Sequence, residues 1–240
     1  MRDYWRHSTA NSIKRVKTWI SGFDSLVDGG IPRPSFVILT GHPGTGKSTF
    51  GIQFLLNGIK NGDEVGVYVS LLESKEVFER NMSSSYGLDL KTPMEQGKLK
   101  FLEFAPLSSS ASSDMFSQIV KVVLDAGAKR LVIDSLNALF SDMPISEQRR
   151  VLEIVVNNMI KEAQCTVIGI LEQSIGREGI GFGIEEFVAD GLVVFESYVD
   201  GLEVKRRAVI RKMRGSMHSS RYQGILFKTA EGLSFFPLAE

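Results

Sequence analysis

The chain has 240 residues, of which 43% are apolar and 23% are charged, a composition typical of a globular protein. Its 28 basic and 28 acidic residues cancel, so no net field draws the chain to nucleic acid. Cys165 is the only cysteine, which excludes a disulfide within the chain and favours a cytoplasmic location. No apolar run approaches the roughly 20 residues of a membrane span, and the polar first residues do not resemble a signal peptide. We therefore expect a soluble protein with a single domain covering residues 1–240.

Strand and helix patterns alternate from residue 35 to about residue 172. Five short apolar runs rich in β-branched and aromatic residues predict strands at 36–39, 65–69, 99–102, 131–133 and 166–171. Several of these runs are almost wholly apolar, which is typical of strands covered on both faces of a parallel sheet. The segments between them predict helices at 50–60, 114–124 and 146–161, with Gly127 capping the second, and the serine-rich stretch 108–113 predicts a loop.

The pattern changes after about residue 186. Apolar runs at 193–195, 204–210 and 225–227 predict further strands, and turns are expected at Asp200 with Gly201 and at Glu231 with Gly232. The predicted fold is therefore α/β, a mostly parallel twisted sheet that is flanked by helices and extended by C-terminal antiparallel hairpins.

One segment predicts a phosphate-binding loop. It matches the pattern G-x-x-x-x-G-K-[ST] between a predicted strand and a predicted helix, and its residues are Gly41, His42, Pro43, Gly44, Thr45, Gly46, Lys47, Ser48 and Thr49. The glycines allow successive backbone N–H groups to point at phosphate oxygens, and the helix that follows presents its positive end to the same anion. In such loops the lysine, here Lys47, reaches the β- and γ-phosphates of ATP, and the serine hydroxyl, here Ser48, binds Mg²⁺.

An acidic residue follows the apolar run 131–133. Asp134 stands at the predicted carboxyl end of that strand, where P-loop proteins hold the magnesium ion, usually through water. Apolar runs that end in aspartate are common, so a turn or a helix cap is the alternative interpretation. The phosphate loop earlier in the chain favours the magnesium role.

Several segments outside the phosphate loop carry a further pattern. They are 20–26 (Ile-Ser-Gly-Phe-Asp-Ser-Leu), 29–32 (Gly-Gly-Ile-Pro), 68–70 with Glu73 and Ser74, 133–135, 187–191 (Phe-Val-Ala-Asp-Gly) and 211–215 (Arg-Lys-Met-Arg-Gly) with His218. With the phosphate loop they span nearly the whole chain, and together they resemble the KaiC-like ATPases of the RecA superfamily. The resemblance implies a RecA-type P-loop NTPase fold, as one domain rather than the tandem pair of the circadian clock protein.

The resemblance also implies roles for residues near the carboxyl end of the chain. Relatives assemble as rings, commonly hexamers, with ATP between subunits. Lys212 and Arg214 would then reach the γ-phosphate held by the adjacent subunit, and Ser216 and His218 would lie near the same nucleotide. A cation placed in this way contributes about 10³-fold or more to the rate in other P-loop enzymes. For His218, a surface position without a role is the alternative.

Two positions depart from the family pattern. Relatives carry adjacent acids after the second strand, but here Leu72 precedes Glu73. Glu73 is then either the residue that orients the attacking water or a carboxylate favoured by a helix start. Glu186 and Phe187 align with the Ser-Thr pair that is phosphorylated in the clock protein, and neither carries a hydroxyl, so autokinase activity is not expected.

Three functions follow from these observations. The first is a Mg²⁺-dependent ATPase that works at subunit interfaces and drives or times a conformational change in a protein partner. The second is a recombinase-like DNA-binding protein with ATP as an allosteric ligand, although its glycine-rich stretch 176–183 offers only Arg177 and Phe182 for contacts to nucleic acid. The third is a nucleotide-gated scaffold with negligible turnover, which the leucine at position 72 favours.

Overall fold

A computed structural model describes residues 13–104, 112–140, 144–154, 159, 162–173 and 188–238. Within these ranges the strands are β1 (Arg15–Val16), β2 (Ile31–Pro32), β3 (Phe36–Gly41), β4 (Gly66–Ser70), β5 (Leu99–Glu103), β6 (Arg130–Asp134), β7 (Thr166–Glu172), β8 (Gly191–Asp200), β9 (Glu203–Met213), β10 (Gln223–Lys228) and β11 (Gly232–Pro237). The α-helices are α1 (Lys47–Gly62), α2 (Lys75–Tyr86), α3 (Lys91–Glu95), α4 (Ser112–Asp125), α5 (Leu136–Phe140) and α6 (Ile145–Ile154). A short 3₁₀ helix covers Asp24–Val27.

Nine of the described strands form one sheet, in the spatial order β11-β10-β9-β8-β3-β7-β6-β4-β5. The strands from β8 to β5 are parallel to one another, and β9, β10 and β11 follow as antiparallel neighbours. This arrangement confirms the predicted parallel sheet with C-terminal antiparallel hairpins. It also places the carboxyl ends of β3, β7, β6 and β4 along a single edge, where ligands bind in open α/β sheets.

The sheet is buried on both faces, which explains the almost continuous apolar runs of its central strands. Phe36 and Ile38 of β3 belong to the buried cluster that includes residues of α4, while Val37 and Leu39 belong to the buried cluster that includes residues of α1. Successive side chains of a strand point to opposite faces, so both sets of positions in β3 must be apolar.

The helix boundaries test the predictions in detail. Helix α4 ends as expected, because Gly127 takes a left-handed φ of 60° and donates its N–H to the Leu124 carbonyl. The serine-rich loop prediction is wrong for Ser112 and Ser113, which begin α4, and residues 105–111 lie outside the described part. The helix predicted at 146–161 is described as α6 up to Ile154, and most of its second half lies outside the described residues.

Helix α2 is absent from the sequence predictions. Only Phe78 and Met82 of this helix are buried, so its apolar periodicity is weak. Its boundaries carry the stronger signal: Ser74 is the N-cap, and Gly87 ends the helix in the left-handed region at φ 64°. Among the helices of the described ranges, none combines the length and the apolar character of a bilayer-spanning helix.

A buried cation joins three parts of the structure. The Arg130 side chain is 1% exposed, pairs with Glu64, and donates to the carbonyls of Phe54 (2.9 Å) and Lys17 (3.0 Å). Its guanidinium also lies over the Phe54 ring, 4.5 Å from the centroid. Removal of the guanidinium would leave the partly buried Glu64 carboxylate without this partner, and it would leave two carbonyls without a donor.

We predict that Arg130→Ala lowers the free energy of unfolding by about 3–5 kcal/mol, because two carbonyls lose their donor and a large buried side chain is removed, although Glu64 keeps its ion pair with Arg33. Urea denaturation measures the change. The control is Lys91→Ala, which removes an exposed i,i+4 pair with Glu95 and should cost about 0.5 kcal/mol or less. Equal losses for the two variants would contradict this account of the Arg130 network.

Candidate functional site

The predicted phosphate loop joins β3 to α1. Gly41 is the last residue of β3, the loop continues to Gly46, and Lys47, Ser48 and Thr49 form the first turn of α1. Gly41, Gly44 and Gly46 take φ values of 135°, 70° and 103°, a region that only glycine adopts at low cost. Gly46 is the N-cap of α1 and has no side chain that could cap the helix, so the N–H groups of the first turn can meet an anion.

The side chain of Lys47 is buried inside this loop. Its ammonium group donates to the carbonyls of Gly41 (2.9 Å) and His42 (2.7 Å), and the Thr45 hydroxyl donates to the same His42 carbonyl (2.7 Å). Burial lowers the pKa of Lys47, while the carboxylates of Glu172 and Asp134 act in the opposite direction. A cation is thus held at the point where the loop backbone turns, and a phosphate oxygen would replace the two carbonyls as its partner.

Asp134 lies beside Ser48 at the same sheet edge. The Tyr68 hydroxyl donates to the Asp134 carboxylate (2.7 Å), and the Ser48 side chain hydrogen-bonds to the same phenol. Burial, together with the charge of Asp134, raises the pKa of Tyr68 well above its usual value, so the phenol stays protonated as a donor. Tyr68 therefore connects the two residues that were predicted to hold magnesium.

The oxygen atoms of Ser48 and Asp134 fit a magnesium ion. Mg²⁺ prefers oxygen ligands, keeps several waters, and uses one or two carboxylates together with substrate phosphates. The described residues contain no cluster of three or more His, Cys, Asp or Glu side chains that could hold a metal ion.

The pocket next to the phosphate loop has a volume of about 240 Å³. It is bounded by the loop, by one side of α2 and by the end of β7, and its lining residues are Gly44, Gly46, Lys47, Ser48, Thr49, Glu73, Asn81, Met82, Ser85, Tyr86 and Glu172. A larger depression of about 480 Å³ lies beside β5 and α4 and contains no residue of the phosphate loop. The smaller pocket is therefore the one that combines the predicted loop with charged side chains.

Glu73 and Leu72 are placed differently. The Glu73 carboxylate lines the pocket and accepts a hydrogen bond from the Asn81 side chain at 2.6 Å. The Leu72 side chain is 63% exposed and supplies no carboxylate. Of the two positions at which the resemblance leads us to expect acids, this chain has an acid only at the second.

Glu172 is a pocket residue that the sequence predictions missed. It ends β7, directly opposite Gly41 of β3 in the strand register. Its backbone N–H donates to the Asn137 side chain (2.6 Å), and the Asn137 amide donates back to its carbonyl (2.9 Å). The available signal was the same as for Asp134, namely an apolar strand that ends in an acid.

The β8–β9 hairpin also reaches the phosphate loop. Strand β8 pairs with β3 only up to Phe195, so residues 196–206 form an arm that extends beyond the sheet edge, here called the β8–β9 arm. From this arm, the Arg206 guanidinium donates to the Gly44 carbonyl at 3.0 Å. The backbone N–H of Ser197 donates to His42 Nδ1 at 3.2 Å, so Nδ1 is the acceptor nitrogen of that ring.

The four predicted residues near the carboxyl end of the chain lie at the opposite edge of the sheet. Arg214 is level with Asp190 and Phe36, at the beginning of β3, whereas the phosphate loop begins at Gly41. Five strand residues separate these levels, which corresponds to about 16 Å. Lys212 stands near the same end and donates to the Ala189 carbonyl at 2.6 Å.

Ser216 and His218 follow at this second edge. The Ser216 hydroxyl donates to Asp28 at 3.1 Å and accepts from Arg15 at 3.1 Å. His218 Nδ1 lies 3.3 Å from the carbonyl of the next residue. The structure therefore brings Lys47, Ser48, Glu73 and Asp134 together at one edge, and it places Lys212, Arg214, Ser216 and His218 away from them.

Two predictions fall outside the described residues. The glycine-rich stretch 176–183, considered for DNA contacts, is one of them. The other is the pair at 186 and 187, considered for phosphorylation.

The sheet order, the phosphate loop and the acidic strand end two strands away define the class of protein, a P-loop NTPase of the RecA type. The family model described as "ATPase: KaiC" matches residues 16–240, so the chain belongs to the KaiC ATPase family. Membership of this family supports nucleotide binding.

Relatives and a solved structure agree with this assignment. The UPF0273 protein PH0284 of Pyrococcus horikoshii is 34% identical over 223 residues, covering 87% of this chain and 88% of that protein. The circadian clock oscillator protein KaiC of Parasynechococcus marenigrum is 32% identical over 241 residues, covering 96% of this chain but 46% of the clock protein. The crystal structure of the KaiC-like protein PH0186 of Pyrococcus horikoshii has a TM-score of 0.81 at 34% identity, covering 94% of this chain and all of that one.

We predict that Arg206→Met weakens ADP binding about two- to tenfold, since one exposed hydrogen bond to the loop is worth about 0.5–1.5 kcal/mol. Titration with a fluorescent ADP analogue measures the affinity. Lys205→Met is the control, because it removes the same charge from the same arm at a residue paired with Asp200 and Glu203. If both variants lose the same affinity, net charge rather than the Gly44 contact is responsible.

Proposed function

We propose that this protein binds ATP with Mg²⁺ at residues 41–49 and hydrolyses it at the interfaces of a homo-oligomeric ring. The observation that carries the proposal is the opposed placement of two half-sites. The phosphate loop, Lys47 and Asp134 stand at one edge of the sheet, while Lys212 and Arg214 stand at the other.

The first half-site is suited to hold the triphosphate. The left-handed glycines turn the loop so that its backbone N–H groups face an anion, and the start of α1 adds a positive dipole end. Lys47 exchanges its two carbonyl partners for phosphate oxygens. Ser48 and Asp134 would hold magnesium, directly or through water, and the bound ion would neutralise charge on the phosphates.

The second half-site completes the site of a neighbouring copy. Because about 16 Å of strand separates Arg214 from the phosphate loop of its own chain, these cations do not reach their own nucleotide. A head-to-tail contact brings one copy's Lys212 and Arg214 to the next copy's γ-phosphate, and contacts of this kind form a ring when the rotation between copies closes. The resemblance to the clock protein favours a hexamer.

In such a ring, ATP turnover depends on assembly, and it is coupled to the conformation of the subunit interface. We infer that hydrolysis drives or times a conformational change in a protein partner, in the cytoplasm. Leu72 stands where the family resemblance leads us to expect the first of two adjacent acids, so hydrolysis is expected to be slow. A scaffold that binds nucleotide without turnover is the second candidate favoured by the same residue.

We predict that Lys47→Ala lowers ATP turnover at least about 100-fold, because it removes the cation that follows charge onto the transferring phosphoryl group. Phosphate release is the measurement. Lys60→Ala, near the exposed far end of α1, is the charge-matched control and should keep wild-type turnover. Equal phosphate release by the wild type and Lys47→Ala would contradict the proposed ATPase activity and would favour the scaffold that binds nucleotide without turnover.

The shared site is tested by mixing two inactive variants. The Lys47→Ala variant keeps Lys212 and Arg214, and the Arg214→Ala variant keeps an intact phosphate loop. In rings assembled at random from equal amounts of the two variants, about a quarter of the interfaces pair an intact loop with intact cations. We therefore predict that the mixture recovers turnover above both single variants. Subunit exchange is confirmed separately with labelled wild-type chains. Absence of recovery, with exchange demonstrated, would rule out catalysis across the interface.

A further inference from the structure

A short loop follows the strand that leads to the cations of the second half-site. Strand β9 ends at Met213, Arg214 begins a turn, and residues 215–218 lead away from the sheet. Gly215 takes a left-handed φ of 70°, which allows this change of direction directly after Arg214. The position of residues 215–218, here called the 215–218 loop, is set by contacts to an earlier part of the chain.

Asp28 holds the loop through one carboxylate oxygen. Its Oδ2 accepts hydrogen bonds from the Met217 backbone N–H (2.6 Å) and from the Ser216 hydroxyl (3.1 Å). Asp28 caps the carboxyl end of the 3₁₀ helix with a left-handed φ of 54°, and its own N–H donates to the Asp24 carbonyl. A charged acceptor makes stronger hydrogen bonds than a neutral one, so Asp28 fixes the loop to a helix end that is itself held in place.

Arg15 holds the same loop from β1. Its guanidinium donates to the Gly215 carbonyl (2.9 Å) and to the Ser216 hydroxyl (3.1 Å), and it lies 3.4 Å from the Asp28 carboxylate. Two further bonds tie this guanidinium to the main chain around Asp28, at the carbonyls of Val27 (3.2 Å) and Gly30 (3.0 Å). The cation also offsets the negative charge of Asp28, which would otherwise oppose a phosphate brought to this edge of the sheet.

We propose that Arg15 and Asp28 are positioning residues: they hold the 215–218 loop so that Arg214, directly before it, meets the γ-phosphate of the neighbouring copy. The proposal rests on the function proposed above, and it assigns neither residue a contact with the nucleotide. On its other side, Arg214 donates its backbone N–H to the Asp190 carbonyl (2.8 Å). The main chain is thus held before and after this residue, while the Arg214 side chain is 55% exposed.

The effect of these contacts on catalysis can be separated from their effect on folding. A contact that only stabilises the fold affects a chain's own phosphate loop and its cations alike. A positioning contact acts only on the neighbour's site, because Arg214 lies about 16 Å from the phosphate loop of its own chain. Asp28 should therefore matter only in the subunit that donates the cations.

The test places Asp28→Gly in one or the other chain of the mixed rings described above. Glycine keeps the left-handed φ and removes the carboxylate. When the Lys47→Ala chain also carries Asp28→Gly, the altered chain donates Arg214, and recovered turnover should fall at least about tenfold, since a misplacement of 1 Å can cost about 10²-fold. When the Arg214→Ala chain carries Asp28→Gly instead, recovery should stay within about twofold of the original mixture. Arg15→Ala should show the same dependence on placement.

Asp63→Gly is the matched control in both chains. Asp63 also ends a helix with a left-handed φ, 50°, and it pairs with Lys98 at 2.8 Å. Its removal should leave the recovered turnover unchanged in either chain. Labelled chains show that each variant enters rings, and titration with the fluorescent ADP analogue shows that its phosphate loop still binds nucleotide.

Three outcomes would overturn the assignment. They are unchanged recovery when the altered chain donates the cations, equal loss in the two placements, and exclusion of the altered chain from rings, which would make Asp28 an assembly contact. If the original mixture fails to recover turnover although its subunits exchange, the proposed function itself is wrong, and the positioning role is wrong with it.

Discussion

The register between parallel strands is the constraint on which the candidate site depends. Hydrogen bonding of β3 to β7 sets Gly41 opposite Glu172, and hydrogen bonding of β7 to β6 sets Asp134 opposite Ile170, two residues before Glu172. Gly41, Glu172 and Asp134 are each the last residue of their strand, so residues that are distant in the sequence lie at the same edge of the sheet. A slip of one residue in any of these pairings would turn a side chain to the other face of the sheet. The buried apolar residues on both faces oppose such a slip.

Much of this fold could be predicted because its central strands are covered on both sides. An unbroken apolar run such as 36–39 has few alternatives, and the glycines of the phosphate loop mark where the strand must end. Helix α2 was harder to predict, since two buried residues are too few to set a helical period. Its N-cap serine and terminal glycine carry more information than its interior.

The candidate site was predictable where its chemistry is local in sequence. The phosphate loop is contiguous, and Asp134 directly follows its strand, so both could be named without a structure. Glu172 also ends an apolar run, but its position beside the phosphate loop follows from the strand order, and the contact of Arg206 with the loop follows from the extent of a hairpin. The opposed position of Arg214 likewise follows from the antiparallel direction of β9 relative to β8.

The ion pair of Arg214 within a single chain is relevant to how the proposed ring could form. Arg214 forms an exposed ion pair with Asp190 at 3.3 Å, and pairs of this kind contribute only about 0–1 kcal/mol. The other oxygen of Asp190 accepts the Phe36 N–H, so this acid stays anchored to β3 when the pair opens. In the proposed ring, a bidentate, charge-assisted contact from Arg214 to a neighbour's phosphate would be stronger than this exposed ion pair. Binding of a triphosphate at the interface would then favour assembly of the ring.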